Sequence, residues 1–434
     1  MPRRLLTLLL LLLAAGCSDA FGENEPVVVS VAGERPTLAD PNRAPPRRGA
    51  ALLLEGMAPG LVTLDAEGQV EPALARRWIV LDDGVSYIFR LADRHWRDGS
   101  ELTAAQIVSQ LRAARAPDSR NRLRPLLRDI ELIEAVTPEI VEIVLRHPRS
   151  DFLQLLAQPD LAVLRGSEGL GWLEIAGANA ERVQLRARRE PADEEDLAEG
   201  EAPAEAPVRA LVYFEPMPRA VARFELGRAD VVLGGTLLDL IYAEAIEPSN
   251  DQLLFDPVQG LFGLGFVPRE GFLADGENRD ALSMAISRRR IMAAFDRIAA
   301  ERQRTIIPEG VTELRRLTLP DWYDVDIEAR RAYAADIVAR WRGAGGEIPP
   351  LRVAIPASEG GRRMFAEFRA AWRTIGIDAV MVAPDRPADL VLVDRVAPSE
   401  APDWYLAQFR CGSGFVCSET LDRALDAMRA APDA

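Results

Sequence analysis

The chain has 434 residues, of which 48% are apolar and 27% charged, a balance that excludes a disordered or membrane-spanning protein and gives room for about two to three domains. Its formal net charge is −15. Nucleic acid and anionic membrane surfaces both repel so acidic a molecule, and neither is expected as a partner.

At the N-terminus, Arg3 and Arg4, the apolar run Leu5 to Leu13 and the small residues Ala14-Ala15-Gly16 precede Cys17. This is a processing signal, too short to span a membrane and stay there. It resembles a bacterial lipoprotein signal, which implies removal of residues 1–16, lipidation of Cys17 and a tether over 17–26. Secretory cleavage near Ala15, leaving Cys17 as a thiol, is the alternative. Val27 to Val31 is a β-branched run that predicts a first strand, and 36–49, with its prolines and arginines, reads as a loop.

The stretch 71–111 is the most informative. Pro72-Ala73-Leu74-Ala75 suggests a short helical piece leading to Trp78, and Asp82-Asp83-Gly84 a tight hairpin turn. Val85, Tyr87, Phe89 and Leu91 alternate as in a half-buried strand. His95-Trp96-Arg97-Asp98-Gly99 makes a second turn, and Thr103 with Gln106 is a capping box for a helix whose apolar face begins Ile107, Val108 and Leu111.

In order and spacing these residues resemble the extracytoplasmic solute-binding proteins of peptide- and nickel-type ABC importers. Pro72, Leu74, Ala75, Trp78, Asp83, Gly84, Tyr87, Phe89, Trp96, Asp98, Gly99, Leu102, Thr103 and Ala104 match that family's phrases. Gln106 stands where the family usually has an acid.

Beyond this stretch, 120–129 reads as a basic, helix-like patch, 130–145 as a hairpin, Phe152 to Leu156 as a short helix and Leu161 to Leu164 as a buried strand. The glycine-rich loop 166–177 lacks the Gly-Lys-Ser/Thr of a phosphate loop. Residues 190–207 are acidic, proline-rich and of low complexity, a loose insertion. Val208 to Phe214 is a strand, and Gly227 to Asp230 matches the family's step from helix to strand. Leu261 to Phe266 resembles its crossing segment between lobes, where Gly263 and Gly265 allow close approach. Ser287 caps a helix with Ile291, Ala294, Phe295 and Ile298 on one face. Leu351 to Ile355, the helix carrying Phe365, Phe368, Trp372 and Ile375, and two later strands make a β-α-β unit.

Catalytic chemistry has no residues to stand on. There are two histidines, His95 and His147, and no nucleophile elbow, Walker loop or dinucleotide fingerprint. Neither enzyme activity nor a cofactor or metal is expected. Cys411 and Cys417 bracket a short flexible loop and are expected as a disulfide, a two-cysteine metal site being the alternative.

The resemblance implies an α/β, two-lobed periplasmic-binding-protein-like (type II) fold with an extra subdomain on the first lobe. The expected bounds are 27–60 and 160–258 for the first lobe, 61–159 for the subdomain, 259–417 for the second lobe and 418–434 for a short return. It further implies a monomer in the periplasm that captures a peptide or other small solute and presents it to an ABC permease. A second reading is an anchored lipoprotein that uses the fold for sensing, chaperoning or interaction without transport. Ligand contacts implied by the family fall on Asp394 or Asp403 for an ammonium group, Trp404 and Tyr405 as an apolar wall, and Phe262 and Phe266 on the cleft floor. Both acids could instead cap turns beside Pro398 and Pro402. The family's aspartate-proline phrase is rearranged here into Ala401-Pro402-Asp403-Trp404.

Overall fold

The β-branched run forms β1 (Val27–Ala32), and helix α1 (Arg48–Met57) follows the proline-rich loop. The computed structural model describes residues 25–188, 207–249, 251–256, 258–293, 305–308, 319–399 and 401–429. Cys17 with its signal, all but residue 207 of the acidic insertion, and Ala294, Phe295 and Ile298 lie outside them.

A short hairpin of β2 (Val62–Leu64) and β3 (Val70–Pro72) leads into β4 (Ala75–Leu81) and β5 (Ser86–Leu91). Helix α2 (Ala104–Arg115), β6 (Ile130–Thr137) and β7 (Ile140–Leu145) complete an antiparallel sheet in the order β4-β5-β7-β6. Asp82 and Asp83 both adopt positive φ, 52° and 51°, so the turn draws on the left-handed tolerance of aspartate as well as of Gly84. Tyr87, Phe89 and Leu91 point into the sheet's core with Ile107, Val108 and Leu111 of α2. At the helix start, Gln106 Oε1 accepts the Thr103 amide at 3.1 Å and Trp96 Nε1 at 3.2 Å. One side-chain oxygen therefore ties the Trp96 turn to the capped helix.

Three local expectations are corrected. Residues 72–75 are extended rather than helical: the Ala75 amide donates to the Leu61 carbonyl at 2.8 Å and the Leu74 carbonyl accepts from Ala92 at 2.8 Å, so sheet pairing overrides helical propensity. Residues 120–125 form turns around the buried Asn121, whose Nδ2 donates to Asn42 Oδ1 and the Asp160 carbonyl, and only Leu126–Asp129 closes as a short helical turn. Leu161 ends a single helical turn begun at Pro159, and no strand follows it before residue 165.

Helix α3 (Phe152–Leu156), β8 (Leu173–Ala178), β9 (Arg182–Ala187), β10 (Val208–Glu215), helix α4 (Met217–Glu225), β11 (Val231–Leu233) and the short helix α5 (Leu240–Glu244) come next. With β1 they build a five-stranded sheet, β11-β1-β10-β9-β8, in which β1 runs parallel to both neighbours. Gly169 and Gly171 press against the end of α1 so closely that a Cβ on either would collide with the carbonyls of Met57 or Gly56, which is why this segment is rich in glycine. Leu238 and Leu240, at the start of α5, pack into the core of the next body rather than this one.

That body comprises β12 (Gly260–Phe266), α6 (Gly276–Ala285), α7 (Arg288–Ala293), α8 (Ile327–Gly343), β13 (Leu351–Ala354), α9 (Glu359–Arg373), β14 (Ala379–Val382) and β15 (Leu390–Val396). Its sheet runs β12-β15-β13-β14, with β13 parallel to β14 and β15, and β12 antiparallel to β15. Trp372 of α9 is fully buried, its Nε1 donating to the Leu282 carbonyl at 3.1 Å. Helices α10 (Pro402–Ala407) and α11 (Glu419–Arg429) follow. Trp404 and Tyr405, expected in the second lobe, are buried in the core of the β4-β5-β7-β6 sheet, so the chain has already crossed back by α10.

Candidate ligand cleft

The antiparallel pair β12 and β15 carries the chain from one body to the other, and three of the predicted site residues, Phe262, Phe266 and Asp394, sit on it. The register places Phe262 opposite Asp394, which puts both on one face of the ribbon. Phe262 is 40% exposed, whereas Phe266 of the same face is partly buried against the second core. Asp394 already has a partner. Its Oδ2 accepts from Arg48 Nη2, at the start of α1 in the first lobe, at 2.8 Å, making an ion pair across the two bodies.

Further along α1, burial first and then the neighbouring Asp256 push the Glu55 carboxyl above its ordinary range. One helix face thus attracts β15 through Arg48 and faces like charge on the segment leading into β12 through Glu55.

Asp403 lies elsewhere. Arg149, only 9% exposed along its side chain, contacts Asp151 at 2.9 Å, Asp129 at 3.2 Å and Asp403 at 3.8 Å. Ser399 Oγ donates to Asp151 Oδ2 at 2.6 Å and Gln158 Nε2 to the Pro398 carbonyl at 3.1 Å. These contacts seat 398–405 on the subdomain. Burial lowers the Arg149 guanidinium and its carboxylate partners raise it, with a net upward displacement; so embedded a cation stays charged because acids surround it. Trp404 and Tyr405, with ring centroids 5.0 Å apart, are core residues here. The expected apolar wall is closed off as an interface because hydrophobic burial against Tyr87, Phe89 and Phe152 competes for the same side chains.

Cys411 and Cys417 are joined as a disulfide, with Cα atoms 5.1 Å apart. The loop that they close is held against β12: Val416 donates to the Phe266 carbonyl at 2.8 Å, and the Phe415 ring covers Gly265 so closely that no Cβ would fit. Arg395, one residue after Asp394 and on the opposite face, stands over that ring. Arg48, Arg149 and Arg395 were not singled out from sequence. The available signal was only that acids placed near aromatics in a chain this rich in arginine need counter-charges.

Two cavities lie away from these residues. One, of about 210 Å³, is lined by Trp96, Gln106, Gln110 and Arg165; the other, of about 60 Å³, lies between α7, α8 and α9. Among the described residues no group of three or more His, Cys, Asp or Glu side chains is arranged to hold a metal ion, and no helix is long and apolar enough to cross a membrane.

Residues 69–208 match the model of the bacterial extracellular solute-binding proteins, family 5 Middle. The glutathione-binding protein GsiB of Escherichia coli (strain K12) is 32% identical over 153 residues, which is 35% of this chain and 29% of that protein. The aligned region thus spans less than a third of these relatives' length. Solved structures carry the likeness over nearly the whole chain. The murein tripeptide binding protein MppA of Escherichia coli matches with a TM-score of 0.79 at 18% identity, over 95% of this chain and 88% of that one. AgaA from A. tumefaciens R10, solved with agropinic acid, gives 0.70 at 17% identity, over 94% and 86%. NikZ from Campylobacter jejuni, solved with Ni(L-His), gives 0.69 at 18%, over 94% and 86%. Residues 69–208 are thus similar to the middle segment of the family 5 bacterial extracellular solute-binding proteins, and the chain around them shares the two-lobed fold of these solved structures.

Proposed function

We propose that this protein captures a small solute, a peptide or peptide-like molecule, between its two lobes and delivers it to an ABC importer. The observation that carries this reading is the family 5 match over 69–208 on a chain whose fold is two-lobed throughout. GsiB is named as a glutathione binder and MppA as a murein tripeptide binder, which supports a peptide-like ligand. We place the protein in the periplasm as a monomer, anchored to a membrane through a lipid on Cys17, and give Phe262 a place on the cleft floor because it is the exposed aromatic of the crossing ribbon.

Such a protein works by differential affinity: only the closed state touches the ligand from both lobes, so the ligand favours closure. Small-angle scattering on the mature chain, with and without peptide and metabolite pools, tests it. A true ligand raises the melting point and lowers the radius of gyration. Pools that shift neither quantity remove the capture reading. Mass spectrometry of the membrane fraction checks the anchor, which an unmodified Cys17 rules out.

A further inference from the structure

Strand β4 lies at the edge of the subdomain sheet, with β5 as its neighbour. Arg77 to Leu81 pair with Arg90 to Ser86, and among the described residues no other backbone hydrogen bond reaches them. From residue 76 the sequence runs Arg-Arg-Trp-Ile-Val-Leu-Asp-Asp: two cations, four apolar residues, two acids. Ile79, Val80 and Leu81 are all exposed. Among the described residues no ion pair engages Arg76, Arg77, Asp82 or Asp83.

A bare sheet edge is a template for another strand, and proteins blunt such edges with prolines, central charges or bulges. Between Arg77 and Leu81, β4 has none of these. The opposite edge, β6, carries Glu131, Glu134 and two register shifts. In the second body, the disulfide-closed loop is bonded to the edge strand β12 at Phe266.

The charge order of β4 complements itself. A second copy turned through half a turn runs antiparallel to the first along this edge. With Val80 facing Val80 of the second copy, Ile79 lies opposite Leu81, and Arg77 reaches Asp83 at the strand's end, in both directions. Residues opposite each other in an antiparallel pair share a face, and Arg77, Ile79 and Leu81 lie on one face of β4 by their period of two. Apolar pairs and opposite charges across strands both favour such pairing. The stretch is also neutral, so the net charge of −15 is not reinforced where the copies meet.

We propose that β4 is a self-pairing edge, along which two copies of this chain join, antiparallel about Val80, into one continuous sheet. A single strand pair is small beside the roughly 1,000 Å² that a stable interface buries, so the pairing is weak. The monomer is the dilute form, and pairs form where copies are crowded. The pairing is independent of solute capture, and its failure leaves that reading untouched.

The test uses the mature chain with Cys17→Ser, so that neither a lipid nor a thiol at that position can join copies. In sedimentation equilibrium from about 1 μM to about 1 mM, the average mass is expected to rise toward twice that of the monomer. Ile79→Lys, which puts a cation into the apolar centre of the pair, weakens association by at least about tenfold. Arg77→Asp, which faces Asp83 with like charge, weakens it as well. Val136→Lys, the matching change at an exposed position of β6, leaves it unchanged. A cysteine replacement reads the register without adding charge: under oxidation, Val80→Cys links copies faster than Leu132→Cys on β6. Three results overturn the proposal: a chain that stays monomeric at the highest concentration, equal association in Ile79→Lys and Val136→Lys, or equal cross-linking from positions 80 and 132.

Discussion

Arg149 and Arg48 make ion pairs of very different worth. Arg149→Met would leave Asp129, Asp151 and Asp403 facing one another where Asp151 and Asp403 are almost wholly buried. Removing one partner of such a cluster costs about 3–5 kcal/mol. Arg48 and Asp394 keep 49% and 31% of their side chains exposed, and Arg48→Met should cost about 0–1 kcal/mol. Urea unfolding midpoints of the two variants measure the contrast; equal losses would show that the Arg149 cluster is not the fastening described. Neither partnership could be read from the sequence. Arg48 and Asp394 are 346 positions apart, and no local pattern announces which arginine an acid will find.

Two glutamates should respond to pH with opposite signs. Glu215 is 4% exposed and accepts from Ser30 at 2.8 Å and Arg223 at 2.8 Å. Burial raises its carboxyl, and the bonds from Arg223 and Ser30 outweigh that to leave it lowered. Its contribution is therefore full above the unfolded value near 4.5 and lost as pH falls through the depressed one. Glu215→Gln should destabilise the protein at neutral pH and flatten the acid limb of its stability profile. Glu55 is raised, so its ionised form is disfavoured in the folded protein, a cost that builds as pH rises through the unfolded value near 4.5 and is complete above the raised one. Glu55→Gln should stabilise at neutral pH and do nothing in acid. Melting temperatures across the acid range check both, and a shared sign would contradict the assignment.

Elements show where local patterns suffice and where they fail. The Asp82-Asp83-Gly84 turn, the alternation through Tyr87, Phe89 and Leu91 and the Thr103–Gln106 box all lie in the strands, turn and helix expected of them, because each is held by contacts within a few residues. Residues 72–75 misled because alanine and leucine favour a helix locally, whereas their backbone partners, Leu61 and Ala92, lie beside β2 and β5, beyond the reach of a local pattern. The crossing strand β12 offers a test of the same distinction. Gly263 and Gly265 are equivalent in the sequence, yet a methyl group at Gly265 would enter the Phe415 ring and one at Gly263 would enter open space. Gly265→Ala is expected to cost about 1–3 kcal/mol by overpacking. Gly263→Ala should stay within about 0.5 kcal/mol of the native protein. Thermal unfolding of the pair decides it, and equal effects would mean that the disulfide-closed loop is not seated on β12.

For the whole molecule the question is what sets the balance between open and closed lobes before any solute arrives. Covalent connection through β12 and β15 permits closure, and the α5 contact (the Glu359 amide donating to Tyr242 Oη at 3.2 Å) joins the bodies at a second point. Neither contact pairs opposite charges. The Arg48–Asp394 pair is a charged contact across the ribbon, and on the capture reading proposed above it has to be weak, because a strong latch would hold the lobes shut without a ligand. An exposed pair worth about 0–1 kcal/mol shifts a two-state equilibrium by up to about fivefold, enough to bias closure and too little to lock it. Arg48→Asp and Asp394→Arg should each enlarge the ligand-free radius of gyration in solution scattering, because like charges then face each other. The double variant should restore it, since the pair is re-formed with its signs exchanged. Raising the salt from about 0.1 M to about 1 M, where the screening length falls from about 10 Å to about 3 Å, should shrink all these differences. A double variant as expanded as either single one would show that the pair does not bridge the lobes in solution, and the bias toward closure would have to come from the α5 contact instead.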